Sequence, residues 1–196
     1  MEDSNKIVLK TDKELKILMS PIRQKIIRFM RIEGKPVTSK YIADKLSMSP
    51  SSAQHHIKQL ESLNIVEFDH SEVINGITAK YLRLTDKTIS IGQSLDDDLS
   101  LNREILAKNI LSEIYDNFQS TITKMKPLLV DELNKGNKFA DFLSGVVHLT
   151  KEDANELYSV ISDFIEKRSK PSNDTHPFEY ALIAYRTDLN NDDGKA

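Results

Sequence analysis

Apolar residues in the first half of this chain change their period once, at Asn64, and that change restricts the fold more than any other feature. Before it, Ala53, Ile57 and Leu60 recur at helical spacing; after it, residues 65–69 (Ile-Val-Glu-Phe-Asp) and 79–84 (Ala-Lys-Tyr-Leu-Arg-Leu) alternate as strands do. Between the two runs sits Asn75-Gly76, whose residues both tolerate positive φ and so mark a hairpin tip. A helix feeding directly into a hairpin is the expected end of the first domain.

The helices before it announce their starts. A short helical segment is expected at Asp12 to Leu18. Ser20-Pro21 and Ser49-Pro50 each pair an N-cap with a proline at the first helical position, and Thr38 caps a helix over residues 39–46. Ile22, Ile26, Ile27 and Met30 give the helix after Pro21 one buried face, Ile42 and Leu46 the next, and the helix from Pro50 runs to Leu63. The order helix, extended link, helix, tight turn, helix, hairpin predicts a winged helix-turn-helix over residues 1–88.

Beyond it, residues 86–99 carry no sustained period and read as a linker. Ser100 is expected to cap a long helix whose start suits the acidic run Asp96-Asp97-Asp98. Leu111, Ile114, Phe118, Ile122, Met125, Leu129 and Leu133 step along it by threes and fours, and Pro127 is expected to kink or restart it. The segment 141–149 reads as a strand. Thr150 with Asp153 opens a capping box for a further helix, and 178–185 reads as a final strand able to pair with 141–149. The expected class is α+β, mainly α with little β: the winged domain, then residues 89–196 as a helical domain with a short strand pair.

Composition removes whole classes of chemistry. The chain has no cysteine, which excludes disulfides, thiolate metal sites and thiol catalysis. It contains no nucleophile elbow, P-loop, dinucleotide fingerprint or paired-histidine zinc motif, so no enzyme is expected and no cofactor. No apolar run reaches membrane-spanning length and the start is polar, from which a cytoplasmic protein without membrane contact is expected. The net charge of −3 hides an asymmetry: residues 1–90 hold 15 Lys+Arg against 11 Asp+Glu, residues 91–196 hold 12 against 19. The first half is the one suited to a polyanion.

On a helical wheel the third main helix buries Ala53, Ile57 and Leu60. Ser51, His55, Lys58 and Ser62 lie opposite, flanked by Gln54, Ser52 and Gln59. These side chains can hydrogen-bond to base edges and phosphates, and none is acidic. Thr38, Ser39, Lys40 and Ser49 stand near helix N-termini, where they serve as phosphate contacts or simply as caps. His55 and His56 point about 100° apart and cannot share one metal ion. The seam through Leu111, Ile114, Phe118, Ile122 and Met125 is either a dimer contact or internal core. Tyr115, Phe118, Phe142, Tyr158, Tyr180 and Tyr185 either pack or line a pocket for a small-molecule effector.

The stretch Leu18 to Leu84, through LMSPIRQKIIRFM, SKYIADKLSMSPSSAQHHIKQLESLNIVEF and INGITAKYLRLT, resembles the winged-helix domain of the ArsR-type repressors, over about a third of the chain. The resemblance implies a homodimeric, sequence-specific transcriptional repressor. Its recognition helix, residues 50–63, would enter the major groove of double-stranded DNA and its wing, residues 70–80, would follow the backbone or minor groove. It places Ser51, Ser52, Gln54, His55 and Lys58 on the DNA-facing helix positions and Asn75, Lys80 and Arg83 on the wing. It also implies pairing of subunits through helices flanking the winged helix, which favours the seam as a dimer contact. The metal ligands of that family are missing, so no metal site is carried over. The competing expectation is a winged helix used for protein–protein assembly.

Overall fold

A computed structural model describes residues 6–90, 99–135 and 139–187. The described elements are β1 (Lys6–Val8), α1 (Asp12–Leu18), α2 (Pro21–Glu33), β2 (Val37–Thr38), α3 (Ser39–Lys45), α4 (Pro50–Ser62), β3 (Val66–Ile74), β4 (Ile77–Leu84), β5 (Thr88–Ser90), α5 (Ser100–Asn134) and α6 (Lys151–Glu166). They form an α+β fold with the helix-turn-helix at its N-terminal end.

Local signals set these boundaries. Thr11 and Glu14 form a reciprocal capping box at α1, and Thr38 Oγ1 accepts from the Tyr41 amide at 3.1 Å. Ser49 accepts from the Ser52 amide at 3.2 Å, with Pro50 as the first helical residue. Ser20 stands at the N-cap of α2 but makes no side-chain cap bond there. The left-handed Gly34, φ 63°, ends α2, and Asn75 and Gly76, φ 51° and 79°, turn the chain between β3 and β4.

Four helices converge on one core. Leu15 and Leu18 of α1, Ile26, Ile27 and Met30 of α2, Ile42 and Ala43 of α3, and Ala53, Ile57 and Leu60 of α4 are all buried. Leu63, Ile65 and Val66 carry this core into the sheet, where Leu82 joins it. The sheet order is β2-β4-β3, antiparallel throughout, with Val37 opposite Leu82 and Val66 opposite Leu84. Asp69 is a bulge: Phe68 pairs with Leu82, yet His70 pairs with Tyr81.

Several expectations are revised. Residues 86–90 are not wholly linker, since β5 pairs in parallel with β1 through Lys6–Thr88 and Val8–Ser90; Asp96-Asp97-Asp98 lie outside the described residues. Ser100 is not a cap: α5 starts on it, and the Leu99 carbonyl accepts from the Arg103 amide at 3.0 Å. Pro127 neither ends nor restarts α5, which continues to Asn134; a proline removes one rung of the ladder and the remaining bonds carry the helix. Segments 141–149 and 178–185 join no sheet among the described residues, so the expected C-terminal strand pair is absent there; neither run alternates in the way a half-buried strand does. Thr150 and Asp153 do form the capping box of α6.

By packing, the chain forms two units. One takes in the described residues up to Asn109 together with Ser144–Pro177; the other takes in Ile110–Leu143 with the described residues from Phe178. The first therefore extends past residue 88. Leu106 of α5 is buried in it, Asn102 donates to Asp12 at 2.8 Å, and Lys170 pairs with Asp86 at 3.0 Å.

Because α4 is anchored through one stripe, its two faces should respond differently to substitution. Leu60→Ala is expected to cost about 2–5 kcal/mol in urea denaturation, whereas Gln54→Ala, on the exposed face, should stay within about 0.5 kcal/mol.

Candidate nucleic-acid interface

The outward face of α4 follows from what its inward face buries. With Ala53, Ile57 and Leu60 locked in the core, helical geometry leaves Ser51, Gln54, His55, Lys58 and Ser62 exposed and Ser52, His56 and Gln59 half-buried. The sole carboxylate on the helix, Glu61, is half-buried in its last turn. The exposed face thus carries Lys58 and several other hydrogen-bonding groups, and no exposed carboxylate.

Their hydrogen bonds separate the side chains engaged within the helices from the rest. Ser49 Oγ caps the helix and lies 3.1 Å from Ser51 Oγ, and Thr38 caps α3; both are caps in the structure. Ser62 donates to the Gln59 carbonyl at 2.7 Å, so its proton is already used within the helix. Gln54, His55 and Lys58 are the long side chains on the exposed face, and Lys40 is exposed on α3 beside half-buried Ser39.

His56 belongs to a different set, which the sequence pattern did not expose. Its Nδ1 lies 3.3 Å from Nη1 of Arg23; the guanidinium can only donate, so Nδ1 accepts. Arg23 also donates to the carbonyls of Ile17 and, at 3.1 Å, Lys16, while Gln24 Nε2 donates to Leu18 at 2.6 Å. Two side chains of α2 therefore satisfy the carbonyl end of α1, and one of them reaches α4. Burial, then the charges of Arg23 and His55, push the His56 pKa down. Its ring meets that of His55 edge-on at 5.4 Å.

The wing sorts its charges by face. Beyond the Asp69 bulge, His70 stacks on Tyr81 with ring centroids 4.5 Å apart and planes 7° from parallel. Asp69 lies 2.6 Å from His70 Nδ1 and Glu72 lies 3.4 Å from its Nε2. The hydrogen bond to Asp69 chiefly, supported by that to Glu72, raises the His70 pKa. Glu72 also accepts from the Tyr81 hydroxyl, which holds that phenol above its usual range. Arg83 contacts Glu67 at 2.5 Å and Asp69 at 3.2 Å. Lys80 pairs in register with Ser71 and lies on the opposite face of β4 from Arg83, since three residues separate them. Asn75 and Lys80 are exposed, whereas Arg83 is held among carboxylates.

Residues 18–67 match a family described as a helix-turn-helix domain. This stretch is a helix-turn-helix domain. The second helix of the motif is α4. No curated protein matches the chain. Similar solved structures include the heme sensor protein PefR from Streptococcus agalactiae in complex with heme, at 16% identity over 80% of this chain and 78% of that one, TM-score 0.31. The adhesin competence repressor AdcR from Streptococcus pyogenes is 17% identical over 81% of this chain and 80% of that one, TM-score 0.28. Lactococcus lactis ZitR in apo form is 17% identical over 81% and 83%, TM-score 0.25.

Elsewhere the expected residues are less concentrated. Leu111, Ile114, Phe118, Ile122 and Met125 are half-buried along α5; Leu129 and Leu133 have no described side chains. Tyr115, Phe142, Tyr158, Tyr180 and Tyr185 are exposed. Among the described residues no group of three acidic or histidine side chains could hold a metal ion, and no helix is long and apolar enough to cross a membrane.

The two described histidines with shifted pKa values should separate on titration. His70, raised, stabilises the fold fully below about pH 6.5 and loses that contribution as pH climbs through its folded value; His56, lowered, contributes above about pH 6.5 and loses it as pH falls toward its folded value. Acidification followed by NMR should protonate His70 first and His56 later, and Asp69→Asn should bring His70 down. The reverse order would contradict both environments.

Proposed function

We propose that this protein is a homodimeric transcriptional repressor that reads a specific DNA sequence with α4 in the major groove. The observation that carries the reading is the face of α4 itself: Gln54, His55 and Lys58 project together from a helix whose opposite face is buried, free of exposed carboxylate, on the second helix of a helix-turn-helix domain. The ArsR-type likeness of residues 18–84 supports it, as does the excess of basic over acidic residues in the first 90.

Within this reading Gln54 and His55 face base edges, while Lys58 and Lys40 meet phosphates. The amides opening α4 stand where backbone donors hold phosphate. Ser51 and Ser52 line the same edge, and Thr38, Ser39 and Ser49 position the two helix starts. The wing contributes Asn75 at its tip and Lys80 along its length. Arg83, neutralised by Glu67 and Asp69, shapes the wing instead. Subunits pair through the α5 seam, which would bring two copies of α4 to two half-sites. Such a protein acts in the cytoplasm without catalysing a reaction.

Selection from random duplexes should return a defined site, and affinity for it should fall steeply with salt because released counterions drive binding. Lys58→Ala should flatten the salt slope by about one unit. His55→Ala should cost about 1–3 kcal/mol and relax preference at one base position. If selection yields no site and neither substitution matters, the face meets a protein instead, and the domain is an assembly module.

A further inference from the structure

One side of the wing is lined by charges that alternate in sign. Glu72 stands 3.4 Å from His70 Nε2, and His70 Nδ1 lies 2.6 Å from Asp69. Asp69 lies 3.2 Å from Arg83 Nε, Arg83 Nη1 lies 3.9 Å from Asp86, and Asp86 is 3.0 Å from Lys170. The series runs from β3 past the end of β4 to the segment after α6, all within the first packing unit. Glu67 adds a second carboxylate to Arg83; Tyr81 gives its hydroxyl to Glu72 and its ring face to His70. Lys80 lies on the opposite face of β4.

His70 is the member of this series that changes charge near neutral pH. Arginine and lysine stay charged and ordinary carboxylates stay ionised across the range in which a histidine titrates. The geometry at His70 requires the proton. A neutral imidazole has one N–H, so in either tautomer a ring lone pair would face Asp69 or Glu72. The imidazolium alone presents a donor to both carboxylates. In keeping with this arrangement, the hydrogen bond to Asp69, supported by that to Glu72, raises the pKa of the ring.

The place of this group in the hairpin gives its proton leverage. Asp69 is the bulged residue, so the imidazolium ties the irregularity in β3 to Glu72 further out along the same strand. With His70 charged, the carboxylates of Glu67, Asp69, Glu72 and Asp86 meet three cations, His70, Arg83 and Lys170. With His70 neutral they meet two, and one carboxylate beside the ring has lost its donor.

We propose that the wing is gated by a proton: imidazolium at His70 clasps Asp69 and Glu72 across the bulge and holds the hairpin in its DNA-binding form. Loss of the proton loosens the strands beyond the bulge and leaves the wing more acidic, so DNA binding weakens as pH rises. The inference rests on the DNA reading of the proposed function and adds its regulation.

Two substitutions fix the charge, and the His70 side chain, 40% exposed, leaves room for both. His70→Arg keeps a cation able to donate to two carboxylates; His70→Gln keeps hydrogen-bonding capacity without charge. On the duplex returned by selection, wild type should match His70→Arg at about pH 5.5 and His70→Gln at about pH 8.5. The two variants should differ about two- to fivefold in affinity at either pH. Comparison at a single pH cancels the titration of His55 on α4, which all three proteins share. Amide exchange of residues 71–79 in the free protein, corrected for its intrinsic pH dependence, should rise between those pH values in wild type and stay level in His70→Arg. Variants that bind alike at about pH 8.5, or wild-type exchange that ignores the proton, would overturn the proposal. The exchange measurement needs no DNA: if selection returns no duplex while exchange still follows the proton, the DNA reading fails and the clasp stands.

Discussion

Everything outward-facing on α4 depends on the inward stripe of Ala53, Ile57 and Leu60. All three are buried, and each fixes the helix about its own axis, so that the opposite side has no freedom to rotate away from solvent. Arg23 adds a second restraint of a different kind. It caps the carbonyl end of α1 and reaches His56 on α4, linking three helices through one side chain. Apolar burial sets the rotation of the helix, and this polar clamp ties it to the elements before it.

The elements that were legible in the sequence are those with local causes. Ser49-Pro50, Thr38, and Thr150 with Asp153 declare helix starts through bonds made within four residues, and Asn75-Gly76 declares the hairpin because few other pairs adopt its dihedrals. The polarity of α4 was equally legible, since period 3.6 alone separates Ile57 from Lys58.

What escaped the sequence depends on distant partners. β1 and β5 are three residues each and pair across some eighty positions, leaving no periodicity to read. Arg23 looks like any surface arginine until the end of α1 is folded against it. Arg83 reads as a phosphate contact by type and position, yet the carboxylates that occupy it come from the other strand and from a bulge. Segments 141–149 and 178–185 are apolar enough to read as strands, but apolar content alone does not separate a strand from other packed chain.

The bulge at Asp69 also gives the wing an electrical sidedness. Without that extra residue, His70 would fall in line with Phe68 and Leu82, on the inner side of the sheet; with it, His70 joins Glu67, Glu72, Tyr81 and Arg83 on the outer side, and Lys80 is left on the other. One inserted residue thus decides which side of the hairpin carries the acidic groups. The wing is handed: turned over, its acid and its base would change places.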